Sequence, residues 1–239
     1  MIRHRFTIIA LIENQLQLLD FELIRFSVCI TMLSLASFYD LKKREVSDRL
    51  WIVFGIAATL LLLLEWNNES RIQNIVISLI FSAPLSLLFW KKGLFGGADS
   101  FAIILISALA PFSFGGNYYP TTSLTNSLLL LLSVFIFNFF RNMKKMLEKE
   151  DIFEGFKETT GRKTLAMFMG VKTNSKFGFS IEQKFKNGKK FNFSLKNCET
   201  SKFSTRKEWC SPGIPFILFI TGGFIIQIFF GDLFLSLFN

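Results

Sequence analysis

Two aspartates stand where a hydrophobic chain has little use for charge. Asp40 closes an apolar run in Phe38-Tyr39-Asp40-Leu41-Lys42-Lys43-Arg44-Glu45-Val46-Ser47-Asp48, and Asp99 follows the glycines of Lys91-Lys92-Gly93-Leu94-Phe95-Gly96-Gly97-Ala98-Asp99-Ser100. Two carboxylates sharing one site cannot both ionise cheaply, so one keeps a proton near neutral pH while the other serves as a base. Such a pair titrates as a unit. The ionised member deprotonates a water for attack on a peptide carbonyl; the neutral member donates to the carbonyl oxygen and later helps protonate the leaving amine. This chemistry calls for no cofactor and no metal.

Other hydrolytic chemistries lack their residues. The single histidine, His4, leaves no basis for a serine–histidine site, and no His-Glu-x-x-His occurs for zinc. Cys29, Cys198 and Cys210 are widely spaced, without a Cys-x-x-Cys pair, so neither a zinc knuckle nor a disulfide framework is indicated. A Cys198–Cys210 bridge is not expected in a cytoplasmic segment.

The elements that must position the two aspartates are membrane helices. The 239 residues are 51% hydrophobic and only 19% charged, with 31 phenylalanines, more apolar side chain than a soluble surface accommodates. The apolar residues arrive in blocks near the ~20 residues that cross a bilayer. The blocks fall at about 22–39, 50–66, 73–90, 99–115, 123–140 and 214–236. The expected fold is an all-α polytopic membrane protein of about six transmembrane helices, with a small β-containing cytoplasmic domain. Its divisions are an N-terminal extension, 1–21, at the membrane interface; a membrane domain, 22–140, holding both aspartate segments; a basic domain, 141–213; and a last helix, 214–239.

Loop charge sets the orientation. Lys42, Lys43, Arg44 and Arg49 fill the first loop and Lys91 and Lys92 the third, whereas the second holds only Arg71 and the fourth neither Lys nor Arg. The positive-inside bias therefore puts loops one, three and five in the cytoplasm. The basic opening Met1-Ile2-Arg3-His4-Arg5 runs against that bias. An interfacial helix or a misassigned translation start explains it equally well, and no signal peptide is expected. Two spans, one out and one back, separate Asp40 from Asp99, so both aspartates stand at the inner ends of their helices.

The segment from Arg141 to Pro212 carries 17 Lys and Arg against 8 Asp and Glu, an excess equal to the whole net charge of +9. Alternating apolar and polar residues around Asn187-Gly188 predict a β-hairpin. The basic surface suits anionic lipid headgroups, at about 1 kcal/mol per cation near the membrane, and equally a solvated cytoplasmic domain. No nucleic-acid recognition motif accompanies the charge, so no nucleic-acid partner is expected.

Taken singly, each motif has an ordinary structural explanation. Gly93–Gly97 makes a turn and Asp99 caps the next helix; Asp40 is a helix-end carboxylate balanced by Lys43 or Arg44; Ser47-Asp48 caps the second helix. Gly96 and Gly97 permit unusual backbone angles and close approach.

Together, Asp40-Leu41-Lys42-Lys43-Arg44-x-Val46-x-Asp48-Arg49-Leu50-Trp51 and Gly96-Gly97-Ala98-Asp99 resemble the prepilin peptidase-like family of membrane aspartic proteases. The resemblance implies catalytic roles for Asp40 and Asp99, with Gly96, Gly97, Arg44 and Asp48 supporting the motifs. It also implies substrates of the type IV pilin and archaellin (flagellin) precursor class, cut at the cytoplasmic membrane boundary after a short positive leader. The family often places a lysine two residues after the second aspartate, where this sequence has Phe101. The cysteine-rich segment of bacterial members is missing. The basic domain before a last span, with Leu165-Ala166-Met167-Phe168-Met169-Gly170 near its start, resembles the archaeal prepilin and preflagellin peptidases.

Two rivals bear on the same residues. Tyr39-Asp40 with Gly-Gly-Ala-Asp also resembles presenilin-like proteases, but no Pro-Ala-Leu follows. A non-catalytic membrane protein (an inactive relative, transporter or assembly factor) would use both aspartates structurally. The deepest parts of the spans lack the ionisable residues that mark an ion path.

Overall fold

The computed structural model describes residues 2–93, 95–111, 119–173, 178–185, 188–193 and 208–236. The chain divides into two compact units, Met1–Ser127 with Pro215–Asn239, and Leu128–Ile214.

The first unit is helical. Its elements are α1 (Ile2–Lys43), α2 (Asp48–Leu64), α3 (Glu69–Lys91), α4 (Gly97–Leu109), the opening turns of α5 (Tyr119–Leu147), α7 (Phe216–Phe230) and the short α8 (Leu233–Ser236). Local chemistry sets their ends. Ser47 caps α2, its side chain accepting from Arg49 N, and Asn68 caps α3 by accepting from Arg71 N at 3.1 Å. Helix α4 stops at Leu109 because Pro111 disfavours helical backbone at Ala110. Helix α7 starts behind Pro215 and ends at Gly231, whose φ of 75° suits a residue without Cβ.

Buried Cys29, Met32, Leu33 and Ala36 recur at helical spacing on α1, and meet Ala102, Ile103, Ile106 and Leu109 of α4 and Ile217, Ile220 and Phe224 of α7. Helices α3 and α4 pack through small residues. Ser78, Ser82 and Ser86 form a buried stripe, the Ser107 and Ser82 hydroxyls meet at 2.5 Å, and Ser100 Oγ donates to Ser86 O at 3.0 Å. The outer faces are apolar instead. Ile52, Ile56, Leu60 and Leu63 form an exposed stripe on α2, as do Phe81, Leu85 and Leu88 on α3. A helix polar within and apolar without is built for lipid.

Among the described residues, three helices are long and apolar enough to cross a membrane: Phe21–Lys43, Glu69–Lys91 and Pro120–Leu147. The apolar helices Gly97–Leu109 and Phe216–Phe230 have 13 and 15 residues, and α2 has 17. At 1.5 Å per residue, 13 residues reach about 20 Å, short of the ~30 Å hydrocarbon layer. The expected span 99–115 ends early at Leu109, and 112–115 lie outside the described residues, as does most of the fourth loop before Tyr119. Backbone helix runs unbroken from the expected extension into the first span, through Ile2–Lys43.

Among the described residues, the second unit holds the rest of α5, helix α6 (Thr160–Met169) and five strands: β1 (Val171–Thr173), β2 (Gly178–Ser180), β3 (Glu182–Phe185), β4 (Gly188–Phe191) and β5 (Glu208–Pro212). Strand β5 pairs antiparallel with β1 and β2 on either side. Strands β3 and β4 form the expected hairpin, with Phe185 opposite Gly188; Asn187 itself lies outside the described residues. An aromatic core holds this unit. Trp209 is fully buried, stacks on Phe153 at 5.3 Å and donates its indole N–H to Ile152 O at 2.9 Å. Asn142 of α5 bonds the carbonyls of Met167 and Gly170 at the end of α6, at 2.9 and 2.7 Å. Cys198 lies outside the described residues.

Gly170 sits where the chain leaves α6 for the sheet. A Cβ there would stand 2.8 Å from the Cys210 carbonyl oxygen, a backbone atom that cannot swing aside. Gly170→Val therefore destabilises the protein by about 1–3 kcal/mol, read as a lowered melting temperature in detergent.

Candidate active site

Asp40 lies in the last turn of α1 and Asp99 in the first turn of α4, each half-buried. The core contacts of α1 with α4 bring these helix ends together, and the two carboxylates lie within electrostatic range of one another.

Asp40 is held by its own helix end and by a neighbour. The chain turns at Arg44, a non-glycine residue with φ of 60°, and the Arg44 N–H donates to Asp40 O at 3.0 Å. That left-handed turn, which costs a side-chain-bearing residue about 1–2 kcal/mol, keeps the Arg44 charge near enough to attract the Asp40 carboxylate. On the other side the backbone N–H of Ile217, in the first turn of α7, donates to the same carboxylate.

Asp99 is turned back on its own helix: Gly96 N–H donates to Asp99 Oδ2 at 2.9 Å. This is the carboxylate half of a capping box, in which the third helical residue reaches the N-cap amide. Asp99 thus caps its helix while lying within electrostatic range of Asp40. Asp48 stands apart, exposed in the first turn of α2, where it complements the helix dipole beside the capping Ser47. Among the described residues no group of three or more His, Cys, Asp or Glu side chains is gathered that could hold a metal ion.

Both glycines serve close approach rather than unusual backbone angles. Gly96 has an ordinary φ of −72°, and a Cβ there would crowd Asp99 Oδ2 at 3.2 Å. At Gly97 a Cβ would meet the Trp90 ring at 3.2 Å, so the close neighbour there is an indole.

A family model described as the type IV leader peptidase family matches residues 27–141, which include both aspartates. A second, archaeal peptidase A24 C-terminus type II, matches residues 137–233. The chain belongs to the type IV leader peptidase family. A preflagellin peptidase from Methanocaldococcus jannaschii is 27% identical over 91% of this chain and 100% of its own. Another, from Methanococcus maripaludis, is 27% identical over 84% of this chain and 92% of its own. A third, from Methanococcus voltae, is 25% identical over 90% and 98%. The protein is accordingly a peptidase.

In this leader peptidase the position where the family often carries a lysine is filled by packing. The Phe101 ring lies 6.3 Å from Trp51 and 6.0 Å from Trp90, so three aromatic rings back the turn that carries Asp99. Sequence reasoning missed this cluster. Its only signal was a tryptophan immediately before Lys91-Lys92 and another soon after Asp48, residues that a membrane chain also places at its interfaces. It missed Phe216 and Ile217 too, because nothing in their spacing connects them with Asp40.

The contact between Gly97 and Trp90 yields a compensating pair. Gly97→Ala pushes the indole or the Asp99 turn by a few tenths of an ångström and lowers kcat by about 10- to 100-fold. Adding Trp90→Phe, a smaller ring, recovers most of that loss in the same cleavage assay.

Proposed function

We propose that this peptidase removes the short, positively charged leader from type IV pilin-like precursors, preflagellin (prearchaellin) among them, by activating water between Asp40 and Asp99. The observation that carries the proposal is the placement of two half-buried carboxylates, from α1 and α4, within electrostatic range of one another. Names of relatives aligned over nearly the whole chain point to the same substrate class.

One carboxylate takes a proton from the attacking water. The other, protonated, donates to the scissile carbonyl and then to the leaving amine. Arg44 steadies the ionised form at Asp40, and Gly96 fixes the rotamer at Asp99. A precursor with its leader in the cytoplasm and its apolar helix in lipid presents the scissile bond at the membrane boundary, the depth assigned to both aspartates by the loop charges.

The six-span layout, with α2, α4 and α7 as the shorter members, belongs to this proposal, as does a cytoplasmic basic domain over 141–213 that docks on anionic lipid. Gly96, Gly97, Arg44 and Asp48 support the two motifs without taking part in bond cleavage.

The test is cleavage of a panel of preflagellin and prepilin precursors by the purified enzyme in detergent, with products weighed by mass spectrometry. The expected product is shortened by the leader alone. An intact panel in the presence of well-folded enzyme would contradict the proposal.

A further inference from the structure

The first turn of α7 touches both aspartate segments. The Ile217 N–H is one of the donors that a helix start leaves without an intrahelical acceptor, and Asp40 supplies the acceptor from another helix. No side chain of α7 itself does so: its N-cap residue is Pro215 and makes no side-chain capping bond. The neighbouring Phe216 ring lies 5.3 Å from Phe95, which directly precedes Gly96, the residue whose amide holds Asp99. Phe95 is also edge-on to Phe89 of α3 at 5.0 Å.

This turn is fixed in place. One turn beyond Ile217, Thr221 Oγ1 meets Ser37 Oγ of α1 at 2.7 Å, both buried, and Ser37 stands one turn before Asp40. Ile217, Ile220 and Phe224 are each 1% exposed against the α1 and α4 side chains. A carboxylate at a helix end has several rotamers open to it. The Ile217 amide and the positive end of the α7 dipole favour one orientation of the ionised form.

We propose that Phe216-Ile217, behind Pro215, is a third element of the peptidase site: a positioning turn that orients Asp40 through the Ile217 amide and sets the Asp99 loop through the Phe216 ring. It rests on the reading of Asp40 and Asp99 as the catalytic pair. Because one turn holds both segments, a shift of α7 alters the geometry of both aspartates at once.

Ile217→Pro tests the amide, since proline is accepted in the first turn of a helix while removing the N–H. In the full-length enzyme, with a preflagellin precursor as substrate, kcat is expected to fall about 10- to 100-fold, the loss of one charge-assisted hydrogen bond. KM stays within about twofold, because the turn orients a catalytic group rather than binding substrate uniformly. The pH–rate profile is displaced, which a purely structural lesion does not do. Phe95→Leu and Phe216→Leu, singly and together, test the ring contact with every amide intact. A shared loss, the double no worse than the poorer single, supports the turn even if Ile217→Pro fails to fold; fully independent losses overturn it. Wild-type kcat and pH profile in a folded Ile217→Pro would also overturn it. Asp40→Asn, run beside these variants, separates the two claims. If it is inactive while Ile217→Pro is normal, the positioning turn alone falls; if it is active, the aspartate pair falls.

Discussion

Asp40→Asn and Asp99→Asn each lower kcat for leader removal by at least about 10³-fold, while the proteins fold and bind precursor as wild type does. The size follows from the roles. A positioned acid or base contributes about 10²–10⁴-fold, and each amide removes both the charge and the proton on which its partner depends. Asparagine preserves the shape at both sites, and its side-chain oxygen still accepts from Gly96 N–H at position 99 and from Ile217 N–H at position 40. A fall in kcat without change in melting temperature or precursor affinity is therefore the signature of lost chemistry. The rate of wild type against pH is bell-shaped, because only the singly protonated pair works: rate rises with pH as the first proton leaves and falls as the second leaves.

The largest effect on stability is expected far from these residues. Arg25 and Glu65, both almost fully buried, form a salt bridge between α1 and the end of α2, with Arg25 Nε 2.6 Å from Glu65 Oε2. Arg25 also donates to Ala108 O near the end of α4 at 3.2 Å. Arg71, at the start of α3, bonds Glu22 at 2.5 Å and lies 4.0 Å from Glu65. Two arginines and two carboxylates thus close a neutral knot that ties α1, α2, α3 and α4. Glu65→Ala leaves the buried Arg25 guanidinium without its counter-ion and costs about 3–5 kcal/mol. Arg25→Leu with Glu65→Leu removes both charges together and recovers much of that loss. Melting temperatures in one detergent check the order: wild type highest, the double variant between, Glu65→Ala lowest. A Glu65→Ala protein as stable as wild type would mean the pair carries no net interaction.

Much that is local was legible in the sequence. Ser47 caps α2 as its position before the apolar run suggested, and β3 and β4 pair as a hairpin with Phe185 opposite Gly188, since both depend on neighbours in the chain. The ends of the apolar runs were read less well. Composition carries hydrophobicity through Pro111 and Gly231, whereas backbone geometry stops α4 and α7 before them. Pairing across the fold was the least accessible. Glu22 and Arg25 open the first span, and their partners stand on or beside other helices at Arg71 and Glu65, which no local pattern connects with them. Likewise nothing local in the sequence ties Gly97 to the indole of Trp90. Asp40 and Asp99 do stand at helix ends, because the apolar runs that they flank form the helices α1 and α4.

The most direct measurement is the rate of precursor cleavage by wild type, Asp40→Asn, Asp99→Asn and the double variant, each shown to be folded. Two residues that act as one acid–base unit lose their function together, so the double variant should be no slower than either single. Losses that multiply, or cleavage that survives either single substitution, would contradict water activation by a shared aspartate pair.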